Sequence, residues 1–142
     1  MRPVDPLLLS AAALSALAAS LHVGCIVFGA PWYRFFGAGE RMARLAEAGD
    51  WRPAAVTAPI VVVLSAWSLY ALSGAGAIPP LPGLWPALLA IASVYTLRGL
   101  AGVAYAALRR PRDRAFWWWS SAICLVFGAT HWLGIAEAWP RR

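Results

Sequence analysis

Arg98 is the residue whose type and position most demand a chemical role. It stands inside an apolar stretch running from Trp85-Pro86 to Leu108. At 1.5 Å per helical residue it lies about 18 Å from Pro86 and about 15 Å from Leu108. A charge at the middle of a bilayer costs about 3 kcal/mol on insertion scales, so the guanidinium must find a partner or water. No acidic residue lies at comparable depth in any apolar stretch of the chain. Two readings follow. In one, Arg98 holds an anion, an anionic lipid headgroup or a small solute, through its two-pronged donor edge. In the other it is satisfied by Ser93, Tyr95, Thr96 and backbone carbonyls, and only fixes helix packing. Extension to the headgroups is not expected, because the side chain's reach of about 6 to 7 Å covers only half the distance.

Depth selects the neighbours. Counted from the same boundary, His22 lies about 9 Å deep, Cys124 about 13 Å and Arg98 about 15 Å. With Tyr95 one turn further on, these four residues form the candidate anion-binding layer. A second set, Tyr70, Trp67, His131 and Trp132, falls towards the opposite side, His131 at about 24 Å, and suggests an aromatic-lined pocket.

Other chemistries fit less well. His22 and His131 could ligate haem, yet they differ in depth by about 15 Å, far more than the two faces of one iron allow. Cys25 and Cys124 differ by about 9 Å, beyond the disulfide Cα separation, so both are expected as free thiols. His22 and Cys25 supply two metal ligands where a closed site needs four. A Ser/His/acid arrangement fails because Ser120 and Ser121 lie near one end of the last apolar stretch and His131 near the other, with no carboxylate to orient the imidazole. No metal and no cofactor are therefore expected. The alternatives to a binding role are a small membrane-embedded enzyme or redox protein using His22, Cys124 or His131, and a structural subunit of a membrane complex.

The elements that position these residues follow from composition. The chain has 142 residues, is 61% hydrophobic and only 13% charged, against about a quarter charged in soluble domains. It cannot cover a water-facing surface. Four stretches reach the roughly 20 residues that span hydrocarbon: 6–29, 53–73, 85–108 and 115–137. Trp32, Trp51, Trp85, Trp117, Trp118, Trp119 and Trp139 fall at their ends, as an interfacial belt. Between the first two spans, residues 38–48 form a charged helical pattern stopped by Gly49, with Glu40 and Arg44 at i,i+4 and Arg44 and Glu47 at i,i+3. Met42, Leu45 and Ala46 share its other face, which suits a helix lying on a membrane surface. Small and polar residues mark the inward faces of the spans: Ser15, His22 and Cys25; Thr57 and Ser68; Tyr95, Arg98 and Gly102; Ser121, Cys124, Gly128 and His131. The fold expected is an all-α membrane protein, one domain over residues 1–142, built as an antiparallel four-helix transmembrane bundle with a short amphipathic surface helix between the first and second spans. Gly99, Gly102 and Ala106 could alternatively serve a homo-oligomer contact.

Charge gives direction and partners. Twelve arginines face six acidic residues, and the chain has no Lys, Asn or Gln. The arginines flank apolar runs instead of forming a basic stripe, which points to lipid headgroups and away from nucleic acid. Arg109, Arg110, Arg112 and Arg114 are the densest such cluster. Eight arginines border the first and third connections and three the termini and second connection. The positive-inside rule then places residues 30–52 and 109–114 in the cytoplasm of a bacterial inner membrane and both termini outside. The segment ending Val23-Gly24-Cys25 resembles a lipoprotein signal peptide, although His22 stands where a Leu is usual and the apolar run continues past the cysteine. An uncleaved transmembrane helix is the expectation.

Overall fold

Asp5-Pro6 starts the first helix for a simple reason: proline is preset for a first helical position, and the Asp5 carboxylate accepts the otherwise unpaired amides of Leu7 and Leu8, each at 3.0 Å. The computed structural model describes residues 4–109, 111 and 113–139, and among these the helices are α1 (Pro6–Phe28), α2 (Ala30–Phe35), α3 (Glu40–Glu47), α4 (Arg52–Ala75), α5 (Leu84–Arg109) and α6 (Arg114–Ala138). No strand occurs among the described residues. Helices α1, α4, α5 and α6 are each long and apolar enough to cross a membrane, and they match the four expected spans to within two residues. Arg110 and Arg112 of the basic cluster, and Arg2, Arg141 and Arg142 of the tails, lie outside the described residues.

The chain divides into two compact units, one of residues 1–15 and 67–142 and the other of residues 16–66. Helices α1 and α4 run unbroken through both. The first unit is a four-helix bundle, with a core of Leu8, Ala11 and Ala12 on α1, Ala71 on α4, Leu88 on α5 and Ile135 on α6. Leu8 is the knob of that core. A Cβ on Gly134 would stand 2.7 Å from Leu8 Cγ, and one on Gly74 would stand 3.1 Å from Leu8 Cδ1 and 2.7 Å from Leu88 Cδ1. Three helices thus close on one leucine only because glycine faces it on two sides, the small-residue packing expected where no hydrophobic force pulls helices together. Polar contacts add to it: Ser68 donates to the Ala12 carbonyl at 2.9 Å, and the Asp5 amide donates to Ala75 at 2.9 Å. Helix α4 ends at Gly76 (φ 79°), where the Ala77 amide reaches back to Leu72 and the Gly76 amide to Ser73. This Schellman closure satisfies the last carbonyls.

The second unit contains a helix that the sequence does not announce. Gly29-Ala30-Pro31 reads as the end of α1, but the chain restarts at once as α2, with Gly29 at its N-cap. Trp32 then lies over α1: it stacks on Phe28 at 4.7 Å, and a Cβ on Gly24 would run into its ring. Cys25, Ala30, Tyr33 and Ala43 make the core of this unit. Tyr33 donates to Thr57 Oγ1 at 3.1 Å, since the threonine's own hydrogen goes to the Pro53 carbonyl at 2.8 Å.

Helix α3 is the expected amphipathic element, but its charges pair differently from the local pattern. Glu40 and Arg44 approach only to 3.7 Å. Arg34 of α2 forks onto both Glu40 (2.9 and 3.0 Å) and Glu47 (2.6 and 3.0 Å). A guanidinium has the planar geometry to serve two carboxylates at once, and it ties α2 to both ends of α3. Hydrogen bonds from Arg34 hold the Glu40 and Glu47 carboxyls below the ordinary glutamate range. Their folded affinity for protons is lowered, so the clamp contributes fully above the ordinary range near pH 4.3 and is lost as pH falls through the lowered values. Amide hydrogen exchange of residues 40–47 is expected to stay slow from pH 7 to about pH 5 and to rise by pH 3, after correction for intrinsic rates. In Arg34→Gln this rise should be smaller and exchange at pH 7 only modestly faster than in wild type, because Ala43 and Ala46 still pack the helix.

Candidate functional site

Arg98 is placed by α5, whose buried face runs through Tyr95, Gly99, Gly102 and Ala106. Its guanidinium is not directed across the bundle at its own level. It turns along the helix towards the α5–α6 connection, where its Cζ stands 5.1 Å from the centre of the Trp117 ring and Nη2 lies 3.4 Å from Ser120 Oγ. Trp117 is one turn into α6, about 5 Å from Arg114 along the axis, whereas the Arg98 Cα is about 16 Å from Arg109. The side chain therefore descends towards the interface after all. Partners from α6 extend into the span and meet it, so it does not need to cover the whole distance. A face-on Arg–Trp contact contributes about 0.5 to 2 kcal/mol depending on desolvation, and the Ser120 bond is long.

The remaining donors are less well served. Arg98 Nη1 and Ser121 Oγ are both buried polar atoms without a hydrogen-bond partner. Both lie against Gly102: a Cβ there would stand 2.7 Å from Arg98 Nη1 and would collide with Ser121 Oγ. An arginine edge and a hydroxyl thus converge where the absence of one side chain leaves them space. Leaving such groups unpaired costs about 1 to 3 kcal/mol each, which an anionic oxygen at this edge would offset. The half-buried Cys124 is within electrostatic reach of Arg98. His22 belongs to the other unit, where its Nδ1 donates to the Ala18 carbonyl at 2.7 Å.

Tyr95 joins the opposite group of candidates. Its hydroxyl pairs with Ser15 Oγ at 3.1 Å, and its ring meets Trp67 edge-on at 4.8 Å, Phe127 at 5.3 Å and His131 at 5.4 Å. The long side chain carries its contacts away from the guanidinium on the same helix. His131 is fully buried; its Nδ1 donates to the Phe127 carbonyl at 2.7 Å and its Nε2 has no partner. Trp67 and His131 share Tyr95, but Trp132 donates to Thr96 Oγ1 at 3.2 Å and Tyr70 to the Pro82 carbonyl at 3.2 Å. Both cysteines are free thiols, Cys25 buried in its unit's core. Among the described residues no group of three or more His, Cys, Asp or Glu is arranged to hold a metal ion.

Trp117, Ser120 and Ser121 are the α6 residues around the Arg98 guanidinium, where the sequence placed Trp117 in the interfacial belt and Ser121 on the inward face of its span. A helical-spacing signal was present: Gly102 is at i+4 from Arg98, and Ser121 is at i+4 from Trp117. The stripe of Gly99, Gly102 and Ala106 is used inside the chain, since Gly99 faces Leu125 and Gly102 faces Ser121. Compared with protein-family models, with curated proteins and with solved structures, the chain matches none.

The two glycines separate site from scaffold. Gly102→Ala meets side-chain atoms alone, the Ser121 hydroxyl, Arg98 Nη1 and the Ser121 Cβ at 3.3 Å, whereas Gly99→Ala places its Cβ 2.6 Å from Leu125 Cγ and 3.1 Å from the Ser121 carbonyl. Thermal unfolding in detergent should show Gly99→Ala losing about 1 to 3 kcal/mol and Gly102→Ala losing clearly less.

Proposed function

We propose that this multi-pass membrane protein is a binding protein of a bacterial inner membrane, and that it holds an oxyanion, as a lipid headgroup or a small solute, at Arg98. One observation carries the reading: Arg98 Nη1 and the Ser121 hydroxyl are both buried against Gly102, and neither has a hydrogen-bond partner. The Trp117 ring lies over the guanidinium at 5.1 Å, which is compatible with a ligand taken in the plane of its donors. Two-point donation from arginine suits carboxylate and phosphate oxygens, and the serine adds a neutral donor that can follow either.

The arginine distribution supports an orientation with residues 30–52 and 109–114 in the cytoplasm. Arg109 and Arg114 then stand where anionic headgroups concentrate. Anion and phosphorus analysis of the purified protein tests the binding role. Wild type is expected to retain a stoichiometric oxyanion, and Arg98→Gln and Ser121→Ala to retain less, at unchanged accumulation. Retention unaltered in Arg98→Gln would remove the case. A C-terminal fusion to a reporter active only outside the cytoplasm is expected to be active, and activity of a cytoplasm-only reporter there would reverse the orientation.

A further inference from the structure

The source of the oxyanion can be argued from where Arg98 opens. At about 100° per residue, Arg98 stands at the edge of the buried face of α5, and the next positions round that flank are Tyr105, Val94 and Ala101, with Leu97 beyond. Arg98 itself is half-buried and all four of these residues are exposed, Leu97 at 64%. Arg98 is therefore at the side of the α5–α6 pair with part of its side chain accessible from the flank, while Nη1 is buried inward against Gly102. In a chain with four membrane-length helices, an exposed apolar flank at this depth is solvated by acyl chains.

That setting discriminates between sources of the same phosphate chemistry. A soluble ion approaching along the flank would have to leave water and its hydration shell. A phospholipid brings a phosphate already attached to chains that prefer this surface. Arg98 also reaches down to the level of Trp117 and Ser120, within the first two turns of α6, which is where an arginine draws a headgroup inward. At that end Arg114 lies over Trp118 at 6.0 Å and Arg109 closes α5. This positive, tryptophan-lined margin favours net-anionic lipids.

We infer that the oxyanion held at Arg98 is the phosphate of an anionic phospholipid, which enters sideways from the leaflet at the Arg109–Arg114 end and lays an acyl chain along the flank of Val94, Ala101 and Leu97. The inference rests on the oxyanion reading and adds a lateral route and a chain-binding surface to it. It also gives Trp117 a part as a positioning residue, because its ring fixes the plane in which the guanidinium offers its edge.

The test is competition on the full-length protein in a neutral detergent, read by native mass spectrometry and by thermal unfolding. The probes are phosphatidylglycerol, phosphatidylcholine, glycerol 3-phosphate and inorganic phosphate. Phosphatidylglycerol is expected to be retained and to raise the melting temperature, with phosphatidylcholine weaker and the two soluble phosphates without effect at equal concentration. Arg98→Gln should weaken phosphatidylglycerol at least about tenfold, the loss of one charge-assisted contact, and Arg98→Lys less. Val94→Trp obstructs the flank without touching the guanidinium and should weaken the lipid alone. Soluble phosphate binding as tightly as the lipid, and lost in Arg98→Gln, would overturn the lipid source and leave the oxyanion site standing. Phosphatidylglycerol retained equally by Arg98→Gln and Arg98→Lys would overturn both. Should Arg98→Gln fail to fold, Arg98→Lys and Val94→Trp both matching wild type would still overturn the lipid assignment.

Discussion

A permanent charge carried at the middle of a hydrocarbon-length helix has to be solvated by the protein itself or by what the protein binds. Arginine cannot escape by losing its proton, so geometry must do the work. Here the side chain bends along α5 until an aromatic face and a serine from α6 receive it. That bend requires α5 and α6 to be nearly in backbone contact, which in turn requires glycine at 99, 102 and 128. The last of these faces Thr96, which would meet a Cβ at 2.6 Å through its Oγ1 and at 3.2 Å through its backbone nitrogen. The closeness of the helix pair and the accommodation of the charge are one arrangement. A larger residue at 99 or 128 meets backbone of the facing helix and would disturb both, whereas at 102 it meets the Ser121 and Arg98 side chains and would disturb chiefly the charge.

The second unit handles charge in the opposite way. Arg34 is at the surface and pairs with two glutamates, while Arg44 and Arg52 stand 3.7 and 3.9 Å from Glu40 and Asp50. Such exposed pairs contribute little individually. The first connection is nearly neutral despite its four arginines, and by sequence residues 109–114 carry four arginines against the single Asp113. Helix α3 is correspondingly held by its alanines: Ala43 and Ala46 pack with Ala30, Tyr33 and Trp32, and the face opposite carries the charges.

The four spans were legible because bilayer thickness imposes a length on apolar runs that no soluble fold would tolerate at this composition. The amphipathic segment was legible from its Gly49 stop and its charge spacing. Helix α2 was not, because six residues with proline in the first turn carry no periodicity, and Gly29 serves both as the end of one helix and the cap of the next. At the site, one-dimensional depth could not give side-chain direction. Arg98 and Tyr95 leave the same helix only three residues apart, and their functional groups are met by different partners, at Trp117 and at Ser15. Local i,i+3 pairing misassigned Glu47 for a related reason: its partner, Arg34, comes from another helix.

The placement of Tyr95 has a mechanical consequence. Its ring is packed edge-on or tilted against Trp67, Phe127 and His131, and its hydroxyl is engaged by Ser15, so residues of all four long helices meet at one level. Each aromatic contact contributes about 0.5 to 1.5 kcal/mol beyond its buried area, and an ion passing between these helices would have to part several of them together. In this conformation aromatic packing ties the four long helices together at that level, so that a displacement of any one of them is felt by the other three.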